Sequence, residues 1–116
     1  MHHHQGFEFV TYMIEGSFLH KDDARNEAEV PEGGAQRAST GRGITHSEMP
    51  GTSRCHVLQL WVNLPDELKD SEPEYQLALP GQLGRRSFIG GNAVVIVGAW
   101  VLFQDGYARR LPRYFS

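Results

Sequence analysis

The stretch MHHHQGFEFVTYMIEGSF, residues 1–18, decides how the rest of the chain is read. Its second half, Phe7 to Gly16, is rich in β-branched and aromatic side chains and stops at a glycine, the pattern of a strand closed by a turn. The segment SFLHKD behind it reads as the hairpin partner. The first half poses a separate question. His2, His3 and His4 are either the remnant of an expression tag or metal donors. In an extended chain His2 and His4 face one side and His3 the other. If no bulge intervenes, Glu8, Val10, Tyr12 and Ile14 share the side of His2 and His4, which would set a polar mouth over an apolar wall.

Outward from this stretch, strand signals continue. The polar run KDDARNEAEVPEGGAQRASTGRG, with Gly33, Gly34, Gly41 and Gly43, reads as loop with at most short strands. HVLQLWVNL, His56 to Leu64, is the second strong strand. PDELKDSEPEY carries prolines near both ends and room for one helical turn between them. AVVIVGAWVLF, Ala93 to Phe103, reads as buried strand; at eleven residues it falls short of the ~20 that a spanning helix needs. With no internal repeat and no heptad pattern, short strands punctuated by Gly and Pro point to an all-β sandwich or barrel.

The bulk properties fit one modest domain. The chain has 116 residues, 40% of them apolar, and a formal net charge of -3, which offers no general attraction to nucleic acid or to an anionic membrane. The single cysteine, Cys55, rules out an intramolecular disulfide and fits a reducing compartment. No basic segment precedes an apolar run at the N-terminus, so a secretory signal is not expected and the chain reads as a soluble intracellular protein.

A second candidate cluster lies in GRGITHSEMP, where His46 and Glu48 are two residues apart and can face the same way. Two such pairs on neighbouring strands would bring together His2, His4, His46 and Glu48. Three imidazoles and one carboxylate suit Fe(II), Mn(II), Ni(II) or Zn(II), and the donor set alone does not choose among them. His20 and His56 have no partner at a useful spacing and read as surface or internally satisfied histidines. Cys55 lacks a base nearby in sequence. GRG is no phosphate loop, because no Lys-Ser/Thr follows it.

Together these stretches resemble the pirin family of the cupin superfamily, its plant members in particular. HHHQGFEFVTYMIEG matches the family's His-Pro-His-Arg/Gln-Gly-Phe-Glu segment with one departure, at His3. GRGITHSEMP matches Gly-Arg-Gly-Ile-x-His-x-Glu-Met-Pro at every fixed position. LQLWVNLP and EPEYQ follow in the family's order, so the resemblance is specific over Met1 to Gln76. It implies that His2, His4, His46 and Glu48 are metal ligands rather than tag residues, and that the fold is a partial cupin, a double-stranded β-helix or jelly-roll barrel. Residues 1–79 would be part of the N-terminal cupin domain carrying the metal motifs. Residues 80–116 would be a divergent tail leading toward a second cupin domain. Strands that precede His2 in the family, and the second cupin, are not in this sequence.

The resemblance further implies Fe(2+) as the cofactor, with other divalent transition metals as alternatives. Its activity would be that of a quercetin 2,3-dioxygenase, which opens a flavonol heterocycle with O2 and releases carbon monoxide. Glu48, the only carboxylate of the set, would shift or take a proton as substrate arrives. The family also implies a non-catalytic alternative, a nuclear co-regulator that binds transcription factors or, in plants, a G-protein subunit, with nucleus or cytoplasm as its location. A truncated inactive paralogue is the third reading. One departure bears on stability: within EGGAQRASTG, residues 32–41, Arg37 and Ala38 stand where the family has Trp and Met. Losing those side chains and introducing Arg is expected to cost several kcal/mol in a packed core.

Overall fold

The computed structural model describes residues 1–97 and the strand backbones 101–104 and 107–110. It divides into two units, Met1–Pro80 and Gly81–Ser116. The first unit holds two four-stranded antiparallel sheets. One runs β1 (His2–His4), β6 (Ile44–Pro50), β3 (Phe18–Asp22), β4 (Glu27–Val30). The other runs β7 (His56–Asn63), β2 (Phe7–Glu15), β5 (Ala35–Ser39), β8 (Glu74–Ala78). No α-helix occurs among the described residues; the turn expected after Pro65 is a 3-10 turn at Asp66–Leu68. The fold is all-β and of the cupin type.

β2 organises the second sheet, pairing with β5 on one side and β7 on the other. Phe9, Thr11 and Met13 point inward and are fully buried or nearly so. Met13 meets Phe18 and Val30 from the facing sheet, with Leu77 packed against them, which fastens the two sheets together. β7, an edge strand, leaves Leu58 and Leu60 on its outer side 60% exposed, an apolar edge of the kind that invites pairing.

The expected hairpin between Phe7–Gly16 and SFLHKD does not form. After Gly16 the chain crosses to the other sheet, where β3 pairs with β4 and β6. The reason lies in what β3 turns inward. Phe18, His20 and Asp22 are buried while Leu19 and Lys21 are exposed. In register, His20 lies opposite Glu48 and Asp22 opposite His46, so polar interior groups face polar interior groups.

Arg37 also departs from expectation. It points away from the donor-bearing interior and pairs with Glu8 at 2.6 Å, with Gln76 at 3.4 Å, so no unpaired charge enters the core. Ala38 is fully buried opposite Phe9.

In the second unit, β9 (Gly84–Phe88) pairs with β10 (Gly91–Val95), and β11 (Val101–Gln104) with β12 (Tyr107–Arg110). The apolar run from Ala93 is therefore two strands rather than one. It bends at Ile96 and Val97, and Val97 is 43% exposed. Residues 98–100, 105–106 and the basic end 111–116 lie outside the described residues.

Candidate metal centre

The donors come from neighbouring strands of the first sheet, β1, β6 and β3. β1 pairs with β6 so that His2 lies opposite His46, which brings the two histidine motifs side by side although they are 44 positions apart. His2, His4 and His46 form a triangle of rings, with centroids 4.4 to 4.8 Å apart and mutually edge-on. His3 takes the other side, as the alternation requires, and bonds Thr45 at 3.3 Å. Its ring covers Gly43, whose φ is +133° and where a Cβ would stand 2.7 Å from the imidazole. That accounts for the second glycine of GRG.

The side-chain parity of His2 and His4 does not continue into β2. Gly6, at φ +77°, breaks the strand, and β1 and β2 belong to different sheets. Odd-numbered residues of β2 therefore face the donors: Phe9 lies 5.7 Å from His4 and 5.0 Å from His46 between ring centroids. Glu8 is turned away to Arg37. Phe7 stacks on Trp61, and Trp61 meets the edge of His4 at 5.5 Å.

Glu48 approaches from the same strand as His46. Its two oxygens accept hydrogen bonds from the side-chain amides of Gln36 and Gln59, the latter at 3.4 Å. Tyr75 donates to Gln36 at 3.0 Å, Gln59 donates to Thr11 at 3.0 Å, and Trp61 donates to Gln59 at 2.8 Å. Gln36, Gln59 and Tyr75 were not singled out from sequence. Their signal was polarity at the parity that faces the donors, as in HVLQLWVNL, where Gln59 shares its face with Val57 and Trp61.

Of the two readings of His20, surface or internally satisfied, the structure gives the interior one: it is completely buried, bonded through Nε2 to Asp22 at 2.9 Å and stacked on Tyr75 at 4.2 Å. Its sequence signal is His-x-Asp, the same two-residue spacing as His-x-His and His-x-Glu. The donors thus fall into two overlapping groups, His2–His4–His46 and His20–His46–Glu48, each with ligand atoms within 4.8 Å of one another. His56 is exposed at the start of β7, and Cys55 donates its thiol proton to the Ser17 carbonyl.

The site fits a metal. Nε2 of His46 lies 2.8 Å from Nε2 of His2, two nitrogens on one spot that only a shared proton or a cation reconciles. Nδ1 of both His20 and His46 is buried without a hydrogen-bond partner. Burial, reinforced by His2, His4 and His20, pushes His46 from its ordinary 6.5 down to about 4. Burial first, then His2 and His3, lowers His4 as well. At neutral pH both rings are neutral, the form a metal requires.

The same shift makes the metal-free chain sensitive to acid. Between about pH 6.5 and 4 the unfolded chain binds a proton at His46 that the folded chain resists, so stability falls as pH falls through that window. Asp22 extends the loss. Burial alone would raise its carboxyl, but hydrogen bonds from His20 and Asn26 together outweigh it and hold the group below 3.8. Its contribution is present above that value and is lost as pH falls through the lower, folded one. The urea midpoint of metal-free protein is expected to drop between about pH 7 and about pH 4.5; a flat profile would contradict the burial of His46.

The chain is similar to several known proteins. The chain is 37% identical to Pirin-1 of Arabidopsis thaliana over 98% of its own length and 40% of that protein's. It superposes on quercetin 2,3-dioxygenase from Acinetobacter baumannii with a TM-score of 0.78 at 29% identity, covering 84% of this chain and 32% of that one. It matches the bacterial pirin YhhW from Escherichia coli, solved in complex with nickel(II), with a TM-score of 0.63 at 36% identity over 73% of this chain and 37% of that one. The chain thus spans about two-fifths or less of each of these three proteins. The family model described as Pirin matches residues 1–62, more than half of the sequence, and the chain belongs to the pirin family.

Proposed function

We propose that the chain holds a divalent transition ion, Fe(II) in the first instance, through His2, His4, His46 and Glu48, and that the site serves O2-dependent cleavage of a flavonol. The observation that carries this reading is the convergence of the three imidazoles, with Glu48 on the strand that supplies His46. The quercetin 2,3-dioxygenase named among the similar structures supports the substrate class. When bound, the ion would supply coordination positions for an oxygen-bearing substrate and for O2.

The chain's own residues do the rest. Trp61, 59% exposed and stacked on Phe7 beside His4, offers an aromatic wall to a planar ligand. Phe9 closes the apolar side of the imidazoles and keeps water from them. Of the two Glu48 oxygens, the one bonded by Gln59 at 3.4 Å is held more loosely and is the one free to take the substrate's hydroxyl proton.

The test is loss of flavonol absorbance with matching O2 uptake in protein loaded with Fe(II), and in parallel with Ni(II), because the similar Escherichia coli protein holds nickel. Turnover that disappears in His46→Ala is the expected result. Protein that holds the ion at full occupancy yet leaves the flavonol intact would defeat the dioxygenase reading and leave metal binding standing.

A further inference from the structure

We propose that His20 is a metal donor in this chain, and that His20, His46 and Glu48 form an inner seat for the ion, sharing His46 with the outer seat of His2, His4 and His46. The inference rests on the metal-binding reading above and goes beyond its ligand set. Ligand atoms of the inner three lie within the same 4.8 Å of one another as those of the outer three. The two seats differ in exposure. The inner one is built from fully buried His20 and His46 and half-buried Glu48, whereas His2 of the outer one is exposed.

The case for His20 comes from what its two nitrogens do. Nε2 is committed to Asp22 at 2.9 Å, which leaves Nδ1 as the nitrogen that carries a lone pair. That Nδ1 is buried and has no hydrogen-bond partner, a costly state for a polar atom in a satisfied interior. A carboxylate on the far nitrogen is also how ligating imidazoles are oriented and made more basic. Among the four histidines at the site, His20 is the one so equipped. Asp22 is itself fixed by the backbone and side chain of Asn26, both at 2.8 Å.

One brace serves both unshared donors of the inner seat. Tyr75 stacks on His20 with an interplanar angle of 14° and donates to Gln36 at 3.0 Å. Gln36 in turn donates to Glu48. His20 and Glu48 are therefore locked relative to one another through Tyr75 and Gln36, an arrangement that a merely space-filling histidine does not need.

Titration of Co(II) into the metal-free 116-residue chain, followed by calorimetry and by the visible spectrum of the bound ion, tests the inference. His2→Ala/His4→Ala is expected to retain one equivalent of Co(II), weakened but saturable, and adding His20→Gln to it is expected to abolish binding. Loss of binding in His2→Ala/His4→Ala while the unmodified chain binds would overturn the inner seat alone. Equal binding with and without His20→Gln would do the same. Failure of the unmodified chain to bind would overturn the metal-binding reading as well. Should His20→Gln not fold by circular dichroism, ring-nitrogen NMR of the unmodified chain with Zn(II) decides: Nδ1 of His20 shifts on loading if the inference holds and stays in place if it fails.

Discussion

A chain carrying His46→Ala is expected to bind neither Fe(II) nor Ni(II) stoichiometrically and to gain no thermal stability when either ion is added. His46 is the one residue common to both donor groups, so its loss leaves only the pairs His2–His4 and His20–Glu48. Two donors do not compete with water for a divalent ion as three or four do. In the unmodified chain, free metal at about a hundred times its Kd stabilises the folded state by about 2.7 kcal/mol. For a domain of this size that corresponds to a rise in Tm of roughly 10 °C. The comparison is made between metal-free and metal-loaded samples of each variant, so any cost of the substitution to the empty fold cancels. An equal rise in His46→Ala would contradict the site.

Phe9→Ala is expected to cost about 3–5 kcal/mol of stability, the range for removing a fully buried phenyl ring. Phe9 has no exposed surface, and its partner across β5 is Ala38, too short to fill the space left behind. Against a total of ~5–15 kcal/mol, this one change brings the chain close to unfolding. The loss reaches the site as well, because Phe9 is the wall against which the His4 and His46 rings rest. Urea unfolding of Phe9→Ala and of the milder Phe9→Leu measures it. A shift below about 1 kcal/mol in Phe9→Ala would show that the two sheets are not packed around that ring.

What could be read in the sequence and what could not divides along locality. Two-residue spacing fixes which side chains share a face, so His-x-His and His-x-Glu were legible as donor pairs, and the β-branched runs at residues 7–15 and 56–63 were legible as strands. Pairing between sheets is not local. Nothing in SFLHKD announces that it leaves β2 at Gly16 for the facing sheet; that choice depends on His20 and Asp22 meeting Glu48 and His46, residues 24 or more positions away. Parity likewise failed to carry across Gly6, because the φ of one glycine resets which side of the chain faces inward. Arg37 illustrates the same point: read against a family pattern it is a charge placed in a core, and its actual partner, Glu8, is 29 residues distant. The burial of His20 was not legible for a different reason. Its two-residue spacing to Asp22 matches that of the two donor pairs, but spacing alone does not say whether such a pair lies at the surface or inside.

The central claim is that this chain holds its metal inside the barrel, through His46 and Glu48 together with His2 and His4, and not on a bare histidine tail. Elemental analysis of untagged protein beside His46→Ala/Glu48→Ala tests it most directly. The account predicts close to one equivalent of transition metal in the unmodified chain and a loss of nearly all of it in the double variant. Equal metal in both would place the ion on His2, His3 and His4 alone and contradict the account.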